Sequence, residues 1–155
     1  MQKSFLERAI EIGGQAMARG TGGPFGAVVA RGDQWIAEGS NQVTSALDPT
    51  AHAEVVAIRE ACRKLGHHSL AGCQIYASCE PCPMCLGAIY WARVDGLYFA
   101  ASREDAQAIG FDDARFYEEL ERPAGDRILL TRQALREEAR AMMQGWLTVD
   151  PARRY

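Results

Sequence analysis

Several features that mark other classes of protein are missing from this sequence. No apolar run approaches the ~18 residues that a membrane-spanning helix needs. Acidic residues interrupt the apolar pattern of the first twelve positions, so we expect neither a signal peptide nor a membrane anchor. The sequence also has no repeat, no low-complexity tract and no linker rich in proline, glycine and serine. These absences favour a cytoplasmic protein.

Lysine is scarce, since the chain has only Lys3 and Lys64. Together with the arginines there are 17 basic residues against 20 acidic ones, a formal net charge of -3. This balance argues against a nucleic-acid partner, because phosphate contacts need cationic surface. The net charge leaves open whether the arginines cluster into a local basic patch.

Hydrophobic residues are plentiful, at 48% of 155 residues, and 24% are charged. A chain of this length and composition is expected to fold around one continuous core. We therefore predict a single domain over residues 1–155.

The hydrophobic spacing predicts helices and strands in alternation. The predicted helices are 4–19, 50–65 (capped by Thr50), 82–92, 105–109, 114–121 and 135–146, with a loop at 41–49. The predicted strands are 25–31, 35–40, 73–78, 97–101 and 128–130. Helix 82–92 has no polar face, which predicts burial on most sides. The first two strands form a hairpin, so the prediction is an α/β fold with three layers, α/β/α, and a mixed sheet of about five strands.

Two short motifs place metal-binding side chains at predicted helix starts. His52-Ala53-Glu54 opens one helix, and Pro81-Cys82-Pro83-Met84-Cys85 opens another. His52, Cys82 and Cys85 are three zinc ligands that leave a fourth position for water, as in a catalytic site. Glu54 lies beside them and is placed to move protons. H-x-E followed by P-C-x-x-C is the signature of zinc deaminases.

Cys79 leaves an alternative open. Cys79-Glu80-Pro81-Cys82 is also a C-x-x-C sequence. With His52, Cys82 and Cys85 it would complete a closed structural zinc site in a non-enzymatic module, and Glu54 would then be an ordinary surface carboxylate. A small buried residue at the end of a strand is the other interpretation of Cys79. Cys62 and Cys73 are interpreted in the same way, and His67 and His68 as solvent-exposed loop residues.

Longer segments of the sequence resemble the bacterial guanine deaminases of the cytidine deaminase superfamily. The similar segments are 22–28, 48–54, 78–93, 110–113 and the terminal Tyr155. The resemblance implies a cytidine deaminase-like fold. It also implies a hydrolase that acts on a cyclic amidine, converting guanine to xanthine and ammonia with one Zn²⁺ per subunit.

The resemblance also implies the residues that bind the base. Asn41 and Asp113 would hydrogen-bond a purine, Phe25 would pack on its ring, and Ala53 would contact it. A buried pocket needs an acceptor for the ring N–H of guanine, which suits an acid at Asp113. Two other interpretations remain open: Asn41 could be a turn residue, and Asp112 could cap the following helix. The resemblance further implies a homodimer in which the C-terminal segment crosses to the partner and Tyr155 covers the partner's pocket.

Several other substrates share this chemistry. A transfer-RNA adenosine deaminase has the same metal motifs, although the acidic composition argues against it. Another aminopurine, a triazine or cytosine are further alternatives. Trp91 and Trp146 are interpreted as core or interface residues, with Trp91 near enough to the zinc helix to contact a pocket wall.

Overall fold

The computed structural model describes residues 1–150, which divide into a first unit, Met1–Tyr117, and a second unit that begins at Glu118. The predicted contact of Tyr155 lies outside the described residues. The helices are α1 (Lys3–Ala18), α2 (Val43–Ala46), α3 (Ala53–Leu65), α4 (Pro83–Trp91), α5 (Arg103–Ala108), α6 (Asp113–Glu121) and α7 (Arg136–Gln144). The strands are β1 (Gly26–Arg31), β2 (Gln34–Ser40), β3 (Gln74–Cys79) and β4 (Gly96–Ala101).

The four strands of the first unit form one mixed sheet in the order β2-β1-β3-β4. β1 is antiparallel to both β2 and β3, and β3 is parallel to β4. The antiparallel β1–β2 pair is the predicted hairpin. The parallel pair is joined through α4, since parallel neighbours need a crossover connection.

Alternating side chains of β1 place the two faces of the sheet against different helices. Ala27 and Val29 pack with residues of α3 and α4, including Ile58 and Ile89. The side chains between them, such as Val28, pack against α1 on the other face. This alternation is the period-two pattern of a strand buried on both sides. The predicted three-layer α/β/α class with a mixed sheet is confirmed, with four strands in the described residues instead of about five.

The predicted strand 128–130 is wrong, and it accounts for the missing fifth strand. Ile128 donates its backbone N–H to the carboxylate of Glu119 at 2.8 Å, and the side chains of Leu129 and Leu130 are exposed. A three-residue apolar run becomes a strand only where a sheet edge is available to pair with it. Hydrophobic spacing carries no information about such an edge.

Three further predictions need correction. The second long helix begins at Ala53 rather than near Thr50, because Thr50 hydrogen-bonds the side chain of Asp48 instead of capping the helix. The predicted loop 41–49 contains the short helix α2. The predicted helix 135–146 is α7 followed by a 3-10 turn over Gly145–Thr148.

Helix α4 is less buried than its sequence predicted. Only Cys85 and Ile89 of this helix are buried, whereas Tyr90 and Trp91 are 69% and 66% exposed. An all-apolar helix therefore has one face in the core of the first unit and another on its surface. Trp91 is not a core residue, and the guanidinium of Arg93 lies 5.9 Å from its ring.

The second unit has a different character from the first. None of its described residues, 118–150, is buried. Its exposed apolar side chains include Ile128, Leu129, Leu130, Met142 and Met143. A segment without buried residues gains little from the hydrophobic effect within its own chain.

Candidate active site

Two helix N-termini hold the predicted metal ligands. His52 is the N-cap residue of α3 and Cys82 the N-cap residue of α4, both with extended backbone, and Pro83 occupies the first turn of α4. The partial positive charge of a helix N-terminus stabilises a nearby thiolate. Cys85 follows Cys82 by three positions, which brings its thiol to the same side of the helix start.

The donor atoms of these residues are grouped as a metal site requires. The Nδ1 of His52 lies 3.6 Å from the Sγ of Cys82 and 3.5 Å from the Sγ of Cys85. All three donor atoms lie within 4.8 Å of one another. A tetrahedral zinc with Zn–S bonds of about 2.3 Å and a Zn–N bond of about 2.0 Å holds nitrogen and sulfur about 3.5 Å apart. The two nitrogen–sulfur distances around His52 therefore match those of a zinc site.

The two cysteines have different electrostatic environments. Hydrogen bonding with Cys85, and then with His52, lowers the pKa of the Cys82 thiol to about 4. The same contact with Cys82, together with burial, raises the pKa of Cys85. Cys82 in turn raises the pKa of the His52 imidazole. One thiolate is thus favoured even before a cation adds its own charge.

Glu54 lies in the first turn of α3 and is almost fully buried, at 7% exposure. Burial raises the pKa of its carboxyl group, because the charged form loses its hydration. The thiol of Cys85 donates to its Oε2 at 3.4 Å, which places the carboxyl beside the ligand cluster. A carboxyl group in this position can accept a proton and deliver it again to a group bound beside it.

A cavity of about 320 Å³ opens onto this cluster. That volume is at the small end of the range for small-molecule sites. Its lining residues are Gly23, Phe25, Asn41, Val43, Thr44, Pro49, His52, Glu54, Cys79, Glu80, Cys82, Phe111 and Asp113. Of the residues predicted for this site, Phe25, Asn41, His52, Glu54, Cys82 and Asp113 line one cavity.

Asn41 is buried, and its side chain has a fixed orientation. Its Oδ1 accepts hydrogen bonds from the backbone N–H groups of Gly23 and Val43, each at 3.2 Å. Because both partners are donors, the oxygen must face the backbone, which leaves the NH₂ group for the cavity. A Cβ at Gly22 would collide with Asn41, so glycine is required there. Asn41 is thus both a turn residue and a lining residue.

Two phenylalanines form an aromatic surface in the cavity. The rings of Phe25 and Phe111 meet edge to face, with centroids 4.7 Å apart. Edge-to-face packing fixes the orientation of both rings, and both residues line the cavity. Phe111 was not predicted as a site residue, although it lies two positions before Asp113 in a segment that carried the family resemblance.

Asp113 is the first residue of α6 and is half-buried in the cavity wall. Burial, followed by the negative charge of Cys82, raises the pKa of its carboxyl group. The neighbouring Asp112 is exposed. Of these two neighbouring acids, Asp113 is therefore the one that a ligand in the cavity would meet.

Ala53 and Cys79 differ in what they offer to this cavity. Ala53 is fully buried, and its methyl group packs in the core, so only its backbone can face a ligand. Cys79 lines the cavity, but its Sγ donates to the carbonyl oxygen of Ser102 at 3.4 Å, and burial raises its pKa to about 11. Cys79 is outside the three-ligand cluster of His52, Cys82 and Cys85.

The remaining cysteines and histidines are away from the cavity. Cys73 is buried, Cys62 is half-buried, and all five cysteines are free. His67 accepts a hydrogen bond from the N–H of Ser69 and stacks on His68.

Among residues 1–150, no helix has the length and apolar character that crossing a membrane requires.

Comparison with known proteins agrees with this geometry. Residues 1–101 match the family model of the cytidine and deoxycytidylate deaminase zinc-binding region. Guanine deaminase from Bacillus subtilis (strain 168) is 49% identical over 144 residues, which is 93% of this chain and 92% of that protein. A tRNA-specific adenosine deaminase from Aquifex aeolicus is 39% identical over 63% of this chain and 64% of its own length.

A solved structure gives the same result for the fold. The X-ray structure of guanine deaminase from Bacillus subtilis superposes with a TM-score of 0.95 at 46% identity, covering 100% of this chain and 99% of that one. The family resemblance predicted from the motifs is confirmed. This chain belongs to the family of zinc-binding cytidine and deoxycytidylate deaminases.

Proposed function

We propose that this protein is a zinc-dependent guanine deaminase that hydrolyses guanine to xanthine and ammonia. The observation that carries the proposal is the composition of one cavity, which joins a three-ligand zinc site and Glu54 to a wall suited to a purine. The Bacillus subtilis guanine deaminase, related along nearly the whole of both chains, supports the same substrate.

His52, Cys82 and Cys85 would hold one zinc ion per subunit, and three protein ligands is the number found at catalytic zinc sites. Zinc bound there supplies a Lewis acid that activates water at neutral pH. Glu54 accepts the proton that the water gives up and delivers it to the departing amine. The carbon–nitrogen bond at C2 of guanine breaks, a carbon–oxygen bond forms at the same carbon, and ammonia leaves.

The reaction also requires that the base is held in one orientation. The NH₂ of Asn41 donates to an acceptor on the purine, and the carboxylate of Asp113 accepts from a ring N–H. Phe25 packs on the ring face. The backbone N–H of Ala53, at the start of α3, has no partner within its helix and is a further donor for the base. An unmatched buried polar group costs about 1–3 kcal/mol, so this pattern favours guanine over bases with other donors and acceptors.

We also propose that residues 1–155 function as one deaminase domain within a homodimer. The support is the exposed apolar face of α4 and the absence of buried residues from 118–150, since both gain stability if a second copy covers them. In this arrangement the C-terminal segment crosses to the partner, and Tyr155 closes the partner's pocket. Free thiols at all five cysteines suit the reducing cytoplasm as its location.

The test is ammonia release by the purified, zinc-loaded protein with guanine, 2,6-diaminopurine, adenine, cytosine, a triazine and transfer RNA in parallel. Turnover confined to guanine and close aminopurines is expected. Turnover of transfer RNA alone would overturn the substrate while leaving the metal chemistry in place. No turnover of any compound by protein with its full zinc content would favour the non-enzymatic module.

A further inference from the structure

Tyr117 lies on the same face of α6 as Asp113, one helical turn further along. Asp113, Ala114 and Tyr117 are half-buried, whereas Arg115 and Phe116 are exposed. Residues four apart on a helix are neighbours on its surface. The face of α6 that carries the base-binding acid therefore also carries the Tyr117 side chain.

The Tyr117 hydroxyl contacts the turn that carries a zinc ligand. It donates a hydrogen bond of 2.9 Å to the carbonyl oxygen of Pro81, the residue immediately before Cys82. Pro81 and Pro83 both lack an N–H group, so this turn has fewer backbone donors of its own. A hydrogen bond from outside the turn therefore contributes more to holding the conformation of the turn.

The ring of Tyr117 is held independently of its hydroxyl group. The guanidinium carbon of Arg103 lies 4.9 Å from the ring centroid, within the range of a cation–π contact. The backbone N–H of Arg103 donates to the carboxylate of Glu80 at 3.2 Å, and Glu80 itself lines the cavity. Replacing Tyr117 with phenylalanine would thus remove the hydroxyl contact and keep the ring in place.

We propose that Tyr117 is a positioning residue that sets the distance between the Asp113 carboxylate and the zinc-binding turn through its hydrogen bond to Pro81. The proposal rests on the proposed function, because it gives Asp113 a base to bind. Asp113 is the first residue of its helix, where a peptide chain is least constrained by intrahelical hydrogen bonds. The Tyr117 contact, one turn away, restricts the first turn of α6, residues 113–117, to a single placement against the metal site.

A purely structural role for Tyr117 makes a different prediction. If the hydroxyl only stabilised the first unit, its loss would affect guanine binding by the same factor whether or not Asp113 was present. If the hydroxyl acts through Asp113, its loss matters only while the carboxylate is there to be positioned. Energies of residues that act as a unit are not additive, so a double-mutant cycle separates the two roles.

The double-mutant cycle combines Tyr117→Phe with Asp113→Asn. All variants also carry Glu54→Gln, so that guanine binds without being consumed. Calorimetry gives the dissociation constant of guanine for each zinc-loaded variant. Tyr117→Phe is expected to weaken binding about fivefold when Asp113 is present, the size of one neutral hydrogen bond. It is expected to weaken binding less than about twofold in the Asp113→Asn background.

Tyr98→Phe is the matched control. Tyr98 stacks on Tyr76 at 5.0 Å in the cluster that faces α1, and it does not line the cavity. Removing its hydroxyl should leave guanine binding unchanged in both backgrounds. Zinc content, measured on every variant, should be the same as in the parent protein.

Three results would overturn the inference: an equal loss of affinity in both backgrounds, no loss in either, or a loss of zinc in Tyr117→Phe alone. Failure of the proposed function has a different signature, since guanine would then be neither bound nor turned over by the wild-type protein. In that case the cycle is run with the base that the wild-type protein does deaminate, and the same comparison decides the role of Tyr117.

Discussion

The proposed zinc site and the proposed recognition wall of the cavity are built in different ways. The zinc site consists of His52, Cys82, Cys85 and Glu54, and all four lie at the starts of two helices that pack on one face of the sheet. The proposed recognition wall consists of Phe25, Asn41, Phe111 and Asp113. Phe25 immediately precedes β1, Asn41 immediately follows β2, and Phe111 and Asp113 lie at the start of α6 or just before it.

This difference determines what each part tolerates. The zinc site depends on donor atoms whose spacing must match bond lengths, so a changed atom removes the metal. The recognition wall depends on hydrogen bonds and ring packing, each of which contributes on the order of 1 kcal/mol. Substitutions in the zinc site should therefore abolish the reaction, whereas those in the wall should change affinity and selectivity.

Cys82→Ser tests the zinc site and should have the largest effect. The substitution replaces a thiolate ligand by a poorly coordinating hydroxyl, so zinc content and guanine turnover should both fall to background. Zinc is measured by atomic absorption on the purified protein. Cys79→Ser is the matched control, because the thiol of Cys79 is hydrogen-bonded to the carbonyl oxygen of Ser102. This variant should keep both zinc and activity. Loss of zinc from Cys79→Ser would instead support a closed four-ligand site.

Asp113→Asn tests the wall at its charged residue. The amide has the same shape but lacks the negative charge that strengthens a hydrogen bond from the purine N–H. A hydrogen bond to a charged group contributes about 1.5–3 kcal/mol, so the KM for guanine should rise roughly 10- to 100-fold. Steady-state kinetics should show kcat changed much less than KM. A fall in kcat with an unchanged KM would place Asp113 in the chemistry rather than in binding.

Phe111→Ala tests the aromatic part of the wall. Phe25 loses its edge-to-face partner, which contributes about 0.5–1.5 kcal/mol, so the affinity for guanine should fall about 2- to 13-fold. Phe116→Ala is the control, since Phe116 lies nearby on α6 but is exposed and does not line the cavity. Equal effects of the two substitutions on KM would remove Phe111 from the recognition wall.

Asp48→Ala tests the loop that leads to His52 and should have the smallest effect. Hydrogen bonds from the side chain and backbone of Thr50 lower the pKa of Asp48 from its ordinary value. An acid with a lowered pKa adds stability above its unfolded-state pKa and loses that contribution as the pH falls through its folded-state pKa. The variant should melt slightly below the wild type at pH 7, and the difference in Tm should shrink as the pH falls below the ordinary pKa of an aspartate. A difference in Tm that does not change between neutral and acidic pH would contradict this assignment.

The same contrast explains what the sequence could predict. The zinc ligands lie in two short motifs at helix starts, where local rules for caps and prolines apply, and the long elements of the first unit follow from hydrophobic periodicity. Phe111 was missed because its role depends on the ring of Phe25, which is distant in the chain. The exposed side of α4 and the unformed strand at 128–130 were missed for a related reason, since periodicity identifies an apolar face but not the surface that covers it.

The most direct test of the central claim is to measure zinc content, guanine affinity and kcat on one preparation of Glu54→Gln. Glutamine keeps the size and polarity of the side chain but cannot accept and deliver a proton. If Glu54 moves the proton for a zinc-dependent deamination, zinc content and guanine affinity remain near wild-type values. The kcat then falls by about 10²- to 10⁴-fold, the usual contribution of general acid–base catalysis. Turnover at the wild-type rate by the zinc-loaded variant would contradict the account.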